Sequence, residues 1–163
     1  MKIKIMSRAS LEKLAMKPFD SQVAVISITD VDMPPVRLNS MPNAILRLSF
    51  EDVDNDLIID ELGCNPTKKQ RKIIEHKYNM FSDDQSDQIA TFYKAVKENT
   101  DILICQCEHG QSRSAGVAAA ILEFRSKRGV EVFANDKYYP NKVVYRRTLK
   151  SLQQNSLDVI SNC

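Results

Sequence analysis

Eight consecutive residues hold the chemistry of this chain: Cys107-Glu108-His109-Gly110-Gln111-Ser112-Arg113-Ser114. The run before them, Asp101 to Cys107 (DILICQC), has the pattern of a buried strand, and a stretch of small residues at helical spacing follows. A loop curled between a strand end and a helix N-terminus turns successive backbone N–H groups into one small cavity. Such a cavity binds phosphate without any lysine. Gly110 lets the chain turn tightly because no Cβ stands in the way. Arg113 offers a planar fork that grips two phosphoryl oxygens at once. The same helix end and guanidinium favour a thiolate at Cys107. A thiolate on the floor of a phosphate cradle is a nucleophile aimed at phosphorus.

Elements on either side must hold this loop in place. Lys2 to Met6 predicts a short strand, followed by a helix over Leu11 to Met16 entered through SRAS. Val23 to Thr29 and Ala44 to Phe50 predict two more strands, and the second runs into the acidic segment EDVDND. Met33-Pro34-Pro35 breaks regular structure between them. Residues 57 to 80 show no clear pattern beyond a basic cluster around Lys68 to Lys72. Ser82 and Gln85 match a capping box, and Ile89, Phe92, Tyr93 and Val96 give the helix behind it one apolar face. The stretch AGVAAAILEF predicts a helix buried against the sheet, stopped near Gly129. Glu131 to Phe133 reads as a strand. Pro140 reads as the opening of a last helix with Tyr145, Thr148, Leu149 and Leu152 facing inward. This alternation predicts an α/β fold, a mostly parallel central sheet flanked by helices. Sites in such sheets lie at the carboxyl ends of strands, where Cys107 falls.

Composition agrees with a single domain over residues 1–163, long enough to bury ~70% of its surface without a metal or disulfide staple. The balance of 23 basic against 21 acidic residues argues against nucleic acid or membrane as an electrostatic partner of the whole chain. The longest apolar-or-glycine run, Ala115 to Leu122, is far short of the ~20 residues of a membrane span. The N-terminal MKIKIMSRAS lacks the apolar stretch of a signal peptide. Cys64, Cys105, Cys107 and Cys163 follow no disulfide framework, which points to a reducing, cytoplasmic compartment.

The segment Cys107 to Ser114 resembles the signature of the cysteine-dependent protein tyrosine phosphatase superfamily, Cys-(x)5-Arg followed by Ser or Thr. The ending SRS and the continuation AGVAAAI resemble its dual-specificity branch, compact bacterial and viral members included. Tyr139-Pro140-Asn141 with Tyr145 and Leu149 is similar to that branch's Pro-Asn helix start. The resemblance reaches back less specifically to Ala44 and implies a tyrosine phosphatase-like fold. It also implies a metal-independent phosphatase without cofactor, acting on a phosphorylated protein or peptide. Cys107 would be the nucleophile, and Arg113 would bind phosphate and stabilise the transition state. Ser114 would assist the leaving thiolate. The backbone of Glu108, His109, Gly110, Gln111, Ser112 and Arg113 would form the cradle, braced from behind by Asn141. The family draws its general acid from an upstream aspartate loop. LSFEDVDND matches it, with Asp52 at the strand end and Asp54 as the alternative. The long interval to Cys107 makes residues 57 to 80 an insertion. Gln106 stands where the family usually has His, so the thiolate is expected to be less stabilised than in relatives.

Other readings of the same residues lead elsewhere. A phosphopeptide-binding module without catalysis would need the cradle but no nucleophile. An arsenate-reductase-like thiol enzyme would use a similar loop, though those of the low-molecular-weight phosphatase type carry it near the N-terminus. Cys105, Cys107 and His109 have the wrong spacing for a structural zinc site. Cys105 reads as core, and Cys64 as a surface or core thiol, with a reversible disulfide to Cys107 as its other reading. His109 reads as a loop-surface residue, and Asp83 and Asp84 as helix-start residues. The cluster Lys68, Lys69, Arg71, Lys72 reads as a solvated face, with a lid or substrate-docking role as the other reading.

Overall fold

The computed structural model describes residues 1–160, with side chains through Gln154, so Cys163 lies outside the described residues. Four strands form one all-parallel sheet: β1 (Lys2–Ser7), β2 (Val23–Thr29), β3 (Ala44–Ser49) and β4 (Ile102–Cys107), in the order β1-β4-β2-β3. The fully buried VAVISIT of β2 sits at the centre, as a strand covered on both faces must. Its alternate residues part cleanly. Ala24, Ile26 and Ile28 join Leu103, Cys105 and Cys107 in the larger core, while Val23 and Val25 join Ile104 on the other face.

On that second face Leu11 of α1 (Arg8–Leu14) and Val36 of the segment between β2 and β3 close a small core. The larger core is built by α4 (Asp83–Val96), α5 (Arg113–Ser126) and α7 (Lys142–Ile160). Residues 113–121 of α5 are all buried, so a helix without an amphipathic stripe lies between the sheet and α7. Ser82 caps α4 through the capping box with Gln85.

Three expectations are corrected. Residues 130–133 form a short helix, α6 (Val130–Phe133), not a strand. Gly129 does not stop α5. The left-handed residue at its end is Lys127 (φ 59°), and Gly129 is needed because a Cβ there would lie 2.7 Å from the Ala119 carbonyl oxygen. Pro140 precedes α7 rather than opening it. Asn141 is the cap, its Oδ1 accepting from Val144 N at 3.0 Å, and the inward stripe is Val144, Thr148, Ser151 and Leu152. The segment without a clear pattern folds into α2 (Asn55–Leu62) and α3 (Lys68–Lys77), packed on Met80 and Val143 through Ile58 and Ile74.

Candidate active site

The carboxyl ends of β1, β2, β3 and β4 meet at the loop after Cys107. Cys107 is buried at the end of β4, and its Sγ lies 3.0 Å from Ser114 Oγ in the first turn of α5. Gly110 turns with φ 70°, a left-handed conformation that L side chains resist. A Cβ there would also stand 2.5 Å from the backbone N of Ser7. The loop therefore rests directly on the end of β1.

Its carbonyls are engaged from outside. Arg8 N donates to Glu108 O at 3.1 Å, Tyr139 N to Gln111 O at 2.9 Å and Asn141 N to Ser112 O at 3.2 Å. Among the described residues, no backbone N–H of 108–113 donates to a protein group. A turn with three carbonyls engaged from outside and its amide donors unspent is suited to an anion. The Glu108 side chain is held by Arg8 Nε at 2.6 Å, while His109 and Gln111 are exposed. His109 is thus a surface residue of the loop.

Arg113 is only 4% exposed in its side chain, and the strand ends determine where its guanidinium sits. Its Nη1 donates to Phe50 O at 2.7 Å and pairs with Asp30 Oδ1 at 2.5 Å. Its Nε has no hydrogen-bond partner among the described residues and stands 3.9 Å from Asp52 Oδ2. Asp52 Oδ1 accepts from Ser112 Oγ at 2.7 Å and from Asn141 Nδ2 at 3.0 Å. Asn141 Nδ2 also donates to Val53 O at 3.1 Å. Asn141 thus ties the acidic loop to the cysteine loop as well as bracing the latter through its backbone.

Cys107, Arg113, Ser114, Ser112 and Asp52 come together. Asp54 does not join them: its carboxylate accepts from Asn55 N at 2.7 Å, capping α2, and from Lys142 N at 3.3 Å. Asp83 pairs with Arg147 and starts α4. Asp30 is the residue that sequence reasoning missed. A single aspartate after a strand reads as a turn residue, and only its partner in space marks it.

Gln106 is fully buried beside β2, where its Oε1 accepts from Ser27 Oγ at 2.7 Å. Its Nε2 has no hydrogen-bond partner among the described residues. Cys105 is fully buried, and burial, with a smaller contribution from Cys107, pushes its thiol up to about 12. It is a core residue. Cys64 is exposed between α2 and α3. No group of three or more potential metal-ligating side chains gathers among the described residues, and no described helix is long and apolar enough to cross a membrane.

No protein-family model matches the sequence, and neither does any curated protein. Solved structures do match. Tk-PTP in its active form is 16% identical with a TM-score of 0.50, over 94% of this chain and 92% of that one. Human DUSP28 is also 16% identical with a TM-score of 0.50, over 96% and 94%. PTPMT1 in complex with PI(5)P is 12% identical with a TM-score of 0.51, over 97% and 94%. At these identities the likeness is one of fold, and it spans nearly all of each chain. The chain has the fold of the cysteine-dependent protein tyrosine phosphatases of dual-specificity type.

Proposed function

We propose that this chain is a phosphoprotein phosphatase that works through a cysteinyl-phosphate on Cys107. The observation that carries the reading is the convergence on one anion-suited loop of a cysteine, an arginine with a free Nε, and a carboxylate. In the first step Cys107 Sγ forms a bond to phosphorus as the bond to the side-chain oxygen breaks. Protonated Asp52 gives its proton to that departing oxygen. Arg113 and the amides of residues 108–113 hold the equatorial oxygens, whose charge they match throughout the transfer. In the second step Asp52, now a carboxylate, takes a proton from water as the water oxygen attacks phosphorus. The S–P bond breaks, and Ser114 Oγ, 3.0 Å from Sγ, donates to the thiolate that leaves.

Phosphotyrosine is the favoured substrate, with phosphoserine and phosphothreonine next. The loop residues Glu108 and Gln111 add no positive charge of the kind polyphosphorylated ligands attract. The nearby Arg8 is engaged by Glu108. Those features count against a phosphoinositide such as the one bound to PTPMT1.

The experiment is hydrolysis of an aryl phosphate with a chelator present. Turnover that disappears in Cys107→Ser is expected. Turnover that survives this substitution, or none in the native chain, would overturn the proposal. Tight phosphopeptide binding with no phosphate release would favour a binding module instead.

A further inference from the structure

Helix α3 lies outside the machinery described so far, and its exposed face is basic. Lys68, Lys69, Lys72 and His76 share that face with Ile73, which is 58% exposed. None of the three lysines nor His76 has an ion-pair or side-chain hydrogen-bond partner among the described residues. The other cations of the helix are engaged: Arg71 donates to Asn55 Oδ1 at 3.1 Å, and Lys77 pairs with Glu61 at 3.3 Å. The helix is firmly held. Thr67 caps it through a capping box with Gln70, Ile74 is buried, and Glu75 pairs with Arg147 of α7 at 2.5 Å.

A shallow, open depression of about 530 Å³ lies on this face, formed by side chains of α3 alone: the three lysines, Ile73 and His76. A second cleft, of about 570 Å³, shares Lys72 and His76 with it and reaches Val31 and Ser49. Those two residues adjoin Asp30 and Phe50, the groups that hold Arg113. The two clefts thus meet at Lys72 and His76, and the second ends at the chain neighbours of the groups that hold Arg113. Beyond Lys72 and His76 the second cleft is lined by uncharged polar groups such as Asn79, Ser82 and Gln85, and by Glu75 and Asp84, which disfavour a run of phosphates. The face has no Phe, Tyr or Trp for a base to stack on, and a single Ile is too little for a membrane surface.

From this geometry we infer that α3 docks an acidic segment of the phosphoprotein substrate. Its glutamates or aspartates lie against Lys68, Lys69 and Lys72, and a polar spacer crosses the second cleft to the phosphorylated residue. The inference rests on the phosphatase reading and names its substrate class.

The test compares an aryl phosphate with two phosphotyrosyl peptides, one linked through a Ser/Gln spacer to a run of glutamates and one to a run of glutamines. Both orders of attachment are made. The native chain should favour the acidic peptide in kcat/KM by roughly tenfold at low salt, the low end of what a charged cleft adds to encounter rates. The preference should vanish in Lys68→Glu/Lys69→Glu/Lys72→Glu, with aryl phosphate turnover unchanged. No preference in the native chain, or one that survives the charge reversal, overturns the inference. If aryl phosphate is not hydrolysed, the phosphatase reading fails on its own. Docking is then read from binding of a labelled unphosphorylated acidic peptide, expected for the native chain and lost in the triple variant. Absence of that binding overturns it, as does triple-sensitive binding of phosphatidylserine vesicles or duplex DNA without binding of the peptide.

Discussion

At the scale of single residues, the two loop aspartates make the sharpest contrast. Asp52 faces Ser112, Asn141 and Arg113, whereas Asp54 caps α2. Asp52→Asn is expected to lower kcat by about 10²–10⁴-fold on a phosphotyrosyl peptide. Asp54→Ala should leave kcat within a few fold while costing about 1 kcal/mol of stability, the worth of a lost cap. Loss of activity in the second variant alone would reassign the acid. Cys105 gives a second contrast. Its thiol is pushed from an ordinary 9.0 to about 12, so it stays neutral in the folded chain when the unfolded thiol ionises. Its contribution to stability is full below pH 9.0 and declines as pH rises from there toward about 12. Iodoacetamide near neutral pH should therefore leave Cys105 unmodified while Cys107 reacts and phosphate protects it; peptide mass mapping reads the result. The cysteine, arginine and serine were legible because their chemistry lies within eight consecutive residues. Asp30 was not, since its meaning lies in the 2.5 Å to Arg113 across 83 positions of sequence.

At the scale of elements, what the sequence revealed follows the strength of the local signal. The strands β2, β3 and β4 are runs of β-branched and apolar residues, and each formed within a residue or so of its expected bounds. The start of α4 was legible because a capping box fixes it from both sides. VEVF reads as a strand by composition, yet its four residues form α6, where Val132 meets Ala115 and Ala119 of α5. Packing overrode a weak propensity. The end of α5 misled for a similar reason. A glycine near a helix end suggests the left-handed stop, but here the close approach to Ala119 demands it and Lys127 takes the left-handed turn. Lys127→Gly should accordingly stabilise the chain by about 0.5–1 kcal/mol, since glycine adopts φ 59° without the steric cost of a side chain. A rise of about 1–4 °C in Tm is the measurement. Gly129→Ala should lower Tm, and an unchanged value there would refute the packing explanation.

At the scale of the molecule, the sheet and its buried helices form one body, and α2 with α3 forms a small attachment under its own core of Ile58, Ile74, Met80 and Val143. The sequence gives little sign of that attachment because each helix is short and buries few side chains. Beyond the apolar contact with Val143 and the bond from Lys142 N to Asp54, the charged contacts that join it to the body centre on Arg147 of α7. Its guanidinium reaches Glu75 of α3 at 2.5 Å, Asp83 at the start of α4 at 3.4 Å and the carbonyl oxygen of Phe81. Arg147 and Glu75 are each less than one-fifth exposed in their side chains, so removing one leaves the other charge poorly solvated. Arg147→Ala is expected to destabilise α3 by about 2–4 kcal/mol, somewhat below the cost of breaking a fully buried pair. The loss should be local, because the sheet is closed without α3 and regions of low contact open independently of a core. Hydrogen exchange should therefore quicken across residues 55–80 while β4 and the first turns of α5 keep their protection. Aryl phosphate turnover should stay near its native value, and any preference for acidic peptides should weaken with the helix that carries it. Uniform acceleration across the whole chain would instead mean that α3 and the sheet unfold as one unit, and the division into body and attachment would be wrong.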